Sequence, residues 1–107
     1  MDKWKAVNKQ KKNKAWILCD SSKISASDLK KKAQKVQFKI ENSKGKIKAV
    51  DVSSGKCKHN SSIKIKGRIV TVKLKKGAPK GTYKFRITVG GKGKIKKTTE
   101  TVKIKVK

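Results

Sequence analysis

A period of two runs through this sequence and constrains it more than any other feature. Val36, Phe38 and Ile40 are interleaved with Lys35, Gln37 and Lys39. Ile63 and Ile65 alternate with Lys64 and Lys66, and Val70, Val72 and Leu74 with Thr71, Lys73 and Lys75. Tyr83, Phe85, Ile87 and Val89 enclose Lys84, Arg86 and Thr88. Val102, Ile104 and Val106 enclose Lys103 and Lys105, with Lys107 following. A helix would scatter such residues around its axis; a strand places them on opposite faces. Each run therefore reads as a half-buried antiparallel strand, apolar inward and Lys or Thr outward. Val, Ile, Thr and Tyr also favour strands intrinsically.

The breaks between runs have turn chemistry. Asn42-Ser43-Lys44-Gly45 precedes a strand at Lys46–Val52, and Ser53-Ser54-Gly55 with His59-Asn60-Ser61-Ser62 marks an irregular loop. Lys66-Gly67 predicts a tight hairpin. Gly90-Gly91-Lys92-Gly93 predicts a hairpin tip before the last strand. Lys46–Val52 carries two phases, Ile47 with Ala49 and Val50 with Val52, which a bulge near Ala49 reconciles. Trp16–Cys19 reads as a short strand, and Ser25–Lys32 as a single helical turn with Ser and Asp at cap positions. About seven short strands, with turns at regular intervals, indicate an all-β antiparallel sandwich. Residues 1–24 form a basic N-terminal segment with one short strand, open to inclusion in the sandwich; residues 25–107 form the sandwich domain.

Charge narrows the partners. Lys and Arg number 33 against 6 Asp and Glu, a formal net charge of +27, and only Arg68 and Arg86 among the 33 are Arg. Such a balance accompanies either disorder or a polyanion partner. The regular alternation argues against disorder. Lys is a hydrated point charge without the planar fork of Arg, so the composition suits general electrostatics better than base readout. No apolar run approaches the length of a membrane-spanning helix, and no membrane insertion is expected. The basic stretch before Ala15-Trp16-Ile17-Leu18-Cys19 looks like the start of a secretion signal. Its apolar part is shorter than the 7–15 or so residues a signal needs, and Leu18 is not the small residue of a lipoprotein site. The chain reads as a domain of a longer exported protein or as a complete protein.

The segment closest to a fold signature is Pro79-Lys80-Gly81-Thr82-Tyr83. It places a Tyr at the start of the penultimate strand, just past a Gly/Pro turn. In Ig-like sandwiches a Tyr in that place hydrogen-bonds back to the corner backbone, so Tyr83, Pro79 and Gly81 are read as structural. Val70-Thr71-Val72-Lys73, Gly77 through Val89, and Lys97 through Val106 resemble the end of the Lys-rich bacterial Ig-like (cadherin-like) domains of Gram-positive surface and secreted proteins. Leu29 through Val36 and Ser43 through Ile47 match that family's opening strands loosely. The resemblance covers roughly residues 29–107 and is strongest after Ile69. It implies an Ig-like sandwich of about seven strands and a structural, adhesive or wall-associated role. It carries no catalytic residues across.

Few residues offer chemistry. Cys19, Cys57 and His59 supply three metal ligands where structural zinc wants four, and no CxxC is present. Asp20, Asp28, Glu41 and Asp51 stand isolated among Lys and read as surface acids, not as a calcium site. Ser53, Ser54, Ser61 and Ser62 near His59 are explained by a Ser-rich loop. Neither enzymatic activity nor a cofactor is expected. Cys19 and Cys57 are compatible with one disulfide or with two thiols. Phe38, Tyr83 and Phe85 fall in the inward phase, Trp16 is a candidate for the sandwich centre, and Trp4 for an exposed position.

The expected function is that of a spacer, adhesion or wall-associating module at the cell surface or outside the cell. Its contacts with polyanions such as teichoic acid would run through the outward residues Lys35, Lys39, Lys64, Lys66, Lys73, Lys75, Lys84, Arg86, Lys103, Lys105 and Lys107. Other expected partners are acidic protein surfaces and neighbouring Ig-like domains. A second reading is a phage virion protein decorating capsid or tail, packed on capsid proteins. A third is a basic protein binding nucleic acid without sequence preference.

Overall fold

The computed structural model describes residues 4–7, 11–20, 23–58 and 60–107. Nine strands and one short helix follow in the order β1 (Lys5–Ala6), β2 (Trp16–Cys19), β3 (Lys23–Ile24), α1 (Ala26–Lys31), β4 (Gln34–Glu41), β5 (Ile47–Asp51), β6 (Ser61–Lys66), β7 (Ile69–Leu74), β8 (Gly81–Val89) and β9 (Thr98–Val106). A single 3-10 turn spans Gly55–Cys57. One sheet has the order β1-β2-β4-β7-β6, the other β3-β9-β8-β5. Within them, β2-β4-β7-β6 and β5-β8-β9 reproduce the ABED and CFG sheets of an immunoglobulin-type sandwich. The chain is thus an Ig-like β-sandwich. The sequence pattern yields about seven strands; the additional pairings are β1 and β3, two residues each and too short to show a period. β3 lies parallel to β9, and every other strand pairing is antiparallel.

Alternation becomes packing directly. Val36, Phe38 and Ile40 of β4 face Val102, Ile104 and Val106 of β9 and Phe85, Ile87 and Val89 of β8 in one buried cluster. Complete burial of a branched or aromatic side chain stabilises by roughly 1.5–3 kcal/mol. β1 and β2 belong to the first sheet, and Ala15 and Ile17 are fully buried, so the core takes in residues upstream of 25. β2 ends where Asp20 accepts a bond from the Gln37 amide through Oδ1 (3.0 Å). The chain then changes sheets, and β3 is held by Lys107 N–H donating to Ile24 O (3.1 Å). In α1, Ser25 stands at the N-cap position, but its hydroxyl bonds Ser27 Oγ (2.6 Å) in place of the backbone. Leu29 nevertheless closes one end of the core, fully buried, and its carbonyl accepts from Gly77 N–H (2.7 Å).

Two sequence expectations are corrected. β5 has no bulge: its register with β8 runs unbroken from Ile47↔Val89 to Asp51↔Phe85. Ile47, Ala49 and Asp51 face inward and Val50 faces solvent, 51% exposed. The inward place at 51 suits a carboxylate because Oδ1 accepts from the Ser53 amide and Oδ2 from Ser61 Oγ, both at 2.8 Å. Trp16 is not at the sandwich centre. Ile17 and Cys19 take the inward phase of β2, and Trp16 lies half-buried on the outer face with Nε1 donating to Lys11 O (2.8 Å).

Candidate polyanion-binding face

The two outer faces are built from the same alternation but differ in composition. On the second sheet, Lys84 stands opposite Lys103, Arg86 opposite Thr101, Thr88 opposite Thr99, and Thr82 opposite Lys105. β5 adds Lys48 beside Thr88 and Val50 beside Arg86, and β3 adds Lys23 beside Lys105. Six cations and four threonines therefore share this face with Val50, and none of these outward positions among the described residues is acidic. Glu100 is half-buried, because its place in β9 falls on the inward phase opposite Ile87.

The first sheet is mixed. Lys35 stands opposite Lys73. Lys64 and Lys66 lie opposite Thr71 and Ile69. Lys39 reaches Glu41 Oε1 at 3.3 Å, and its Nζ lies 6.0 Å from the centre of the Trp4 ring. Trp4 is accordingly half-buried. Leu18, Trp16 and Ile69, all half-buried, dilute the charge on this side. Lys75 and Lys107 are exposed just beyond the ends of β7 and β9. The structure thus gathers Lys84, Arg86, Lys103 and Lys105 of the expected residues on one face whose outward strand positions carry no acid, with Asp20 lining a pocket beside Lys103 at the β3 end. It places Lys35, Lys39, Lys64, Lys66 and Lys73 on the other sheet. Lys23 and Lys48 also belong to the Lys84 face, Lys23 lining the pocket at its end together with Asp20. Lys48 is concealed in the sequence by the ambiguous phase of its strand, and Lys23 sits in a strand too short to show one.

Like charges directly across a strand pair repel. Lys84 with Lys103, and Lys35 with Lys73, are such pairs. An anion bridging two ammonium groups removes that repulsion, and the neighbouring Thr hydroxyls can donate to its oxygens. The chemistry available on this face is binding by charge and by hydroxyl donation.

Beneath the face lies the corner. Tyr83 is fully buried, and its hydroxyl donates to Pro79 O at 2.6 Å. Burial pushes its pKa up to about 12, with the neighbouring Cys57 thiol and the Asp51 carboxylate acting in the same direction. Gly81 has φ +146, and a Cβ there would meet Cys57 Sγ at 2.8 Å. Ser53 extends the β5–β8 pairing with its side chain, Oγ accepting from Lys84 N–H (2.9 Å) and donating to Lys84 O (3.2 Å). Cys19 and Cys57 are both buried. Cys19 sits across from Phe38 in the first sheet, whereas Cys57 sits against Gly81, under the corner of the second. His59 lies outside the described residues. Among the described residues, no three His, Cys, Asp or Glu side chains come together, and no helix is long and apolar enough to cross a membrane.

No protein-family model and no curated protein sequence matches the chain. Among solved structures, the twitchin kinase region from C. elegans (Fn31-NL-kin-CRD-Ig26) is similar at 13% identity and a TM-score of 0.43, over 81% of this chain and 15% of that one. The Ig-like description rests on the strand order and the Tyr83 corner given above.

Proposed function

We propose that the protein is a non-enzymatic Ig-like module of a bacterial surface or secreted protein. Its role is to associate with an anionic wall polymer of the teichoic-acid type through the outer face of β3-β9-β8-β5. The observation that carries this reading is the absence of carboxylates from the outward strand positions of the face that holds Lys48, Lys84, Arg86, Lys103 and Lys105, among the described residues. An array of Lys and Thr suits a flexible phosphodiester chain, which needs charge density and hydroxyl donors more than shape. The resemblance of residues 29–107 to Lys-rich bacterial Ig-like domains supports the surface setting. Lys outnumbering Arg supports loose contact over sequence-specific recognition.

The test is retention on purified cell walls and on walls stripped of teichoic acid, read across salt concentration. Binding is expected to need the polymer and to fall steeply with salt. Reversing charge on the second sheet with Lys84→Glu and Lys103→Glu should weaken it by about tenfold or more, since multiple phosphate contacts act together. Lys35→Glu with Lys73→Glu on the first sheet should cost far less. Equal losses from the two double variants, or retention indifferent to salt, would overturn the assignment.

A further inference from the structure

We propose that the free edge of β5, with the cleft beside it, binds an extended acidic peptide that alternates carboxylate and apolar residues and adds to the second sheet as a further strand. This surface adjoins the polymer face and shares Lys48 and Val50 with it, but its reading rests on the backbone edge of β5 and not on the Lys84/Lys103 array.

The backbone supplies the first reason. Gly90 N–H donates to Lys46 O (2.7 Å) and Val52 N–H to Lys84 O (2.9 Å), so residues in that phase direct their backbone groups at β8. In an antiparallel pair the alternate residues direct theirs the other way. Ile47 and Ala49 therefore present N–H and C=O groups to the edge, where no strand pairs among the described residues. The second reason is apolar exposure: Val50 is 51% and Ile65 39% exposed, the former on β5 and the latter on the edge strand of the opposite sheet. The third is an open cleft of about 430 Å³ beside the β5 edge, where Ile47 and Ile65 meet Lys44, Lys46, Lys48 and Arg68, and which no carboxylate lines. Arg68 is held in place there by donating from Nη1 to Gly45 O.

Chemistry selects the occupant. A second copy of this chain would bring Lys46 and Lys48 against the same lysines, and Lys on an edge opposes self-pairing. An acidic strand meets no such barrier, and each opposite-charge pair across strands is favourable. Alternation divides its side chains between the two needs: the inward set covers Ile47 and Ile65, the outward set meets the lysines. Main-chain bonds then give affinity and the flanking side chains selectivity, as in other strand additions.

The probe is a synthetic peptide of roughly ten residues alternating Glu and Val, enough to span a strand of this length. Controls are oligoglutamate of equal charge and the same peptide N-methylated at alternate amides. Amide NMR and hydrogen exchange should show shifts confined to residues near 44–50 and 65–68, with Ile47 and Ala49 amides protected in the complex. Ala49→Pro, which removes an edge donor outside the β8 ladder, should weaken binding by about tenfold, and Ile65→Lys similarly. Lys84→Glu with Lys103→Glu should leave it within about twofold, which separates this surface from the polymer face. Equal binding of oligoglutamate or of the N-methylated peptide, or unprotected Ile47 and Ala49 amides in the complex, would overturn the proposal. Should Ala49→Pro not fold, the exchange data on the unmodified protein and Ile65→Lys decide it.

Discussion

Tyr83 shows how much one residue can fix. It is the chain's sole tyrosine, fully buried, and its hydroxyl satisfies the Pro79 carbonyl. Tyr83→Phe should cost about 1–2 kcal/mol, because it leaves a partly buried acceptor without its donor. The raised pKa also has a pH consequence. The folded state holds the phenol protonated above the ordinary value of 10.0, up to about 12. The stability this contributes is complete below pH 10 and is lost as pH rises through 12. Tyrosinate absorbance should therefore appear only in that window, together with a fall in Tm that Tyr83→Phe does not show. The difference between the two proteins isolates Tyr83. The corner was legible because a Gly/Pro turn followed by a Tyr in strand phase has few other uses. The Asp51 and Ser53 bonds were not, because a lone acid in a lysine-rich chain gives no sign of which backbone amide it will meet.

Elements are positioned by close approaches that no periodicity records. The loop between β4 and β5 crosses the start of the β8–β9 connection so tightly that a Cβ on Gly45 would lie 1.9 Å from Gly90 O. Both partners are backbone, so neither can rotate away. Gly45→Ala should destabilise by about 2–4 kcal/mol, at the upper end of single substitutions. Urea denaturation would check this, with Gly67→Ala as comparison, since a Cβ there meets nothing within 4 Å and only its positive φ is strained. Asn42 binds the other side of the same loop to the N-terminal segment, its Nδ2 lying 2.7 Å from Lys14 O and 3.0 Å from Lys12 O. The course of β5 shows the limit of pattern reading. Two apolar phases compete in Ile47–Val52, and pairing with the longer β8 settles the contest in favour of Ile47 and Ala49.

Over the whole molecule the charge is a cost that the fold bears. A formal +27 on 107 residues repels itself, most directly at Lys84/Lys103 and Lys35/Lys73. Screening should relieve this, so Tm should rise between low salt and about 0.5 M salt. A polyphosphate should raise it further at much lower concentration, since binding to the folded state adds to stability. A Tm that falls with salt and ignores polyphosphate would show that the charge has no cooperative partner.

The sequence by itself determined the sandwich. Alternation depends only on residues two apart, and it specified which side chains are buried in β4, β7, β8 and β9 before any partner strand was known. It also determined that the outer faces are cationic. Tertiary structure alone decided how the two faces differ. Glu41 comes to rest beside Lys39 on the first sheet, Glu100 falls in the inward phase of β9, and β3 and β5 bring Lys23 and Lys48 onto the second. Those placements depend on strand register and on which sheet a short segment joins, and both are set by contacts between residues far apart in the chain.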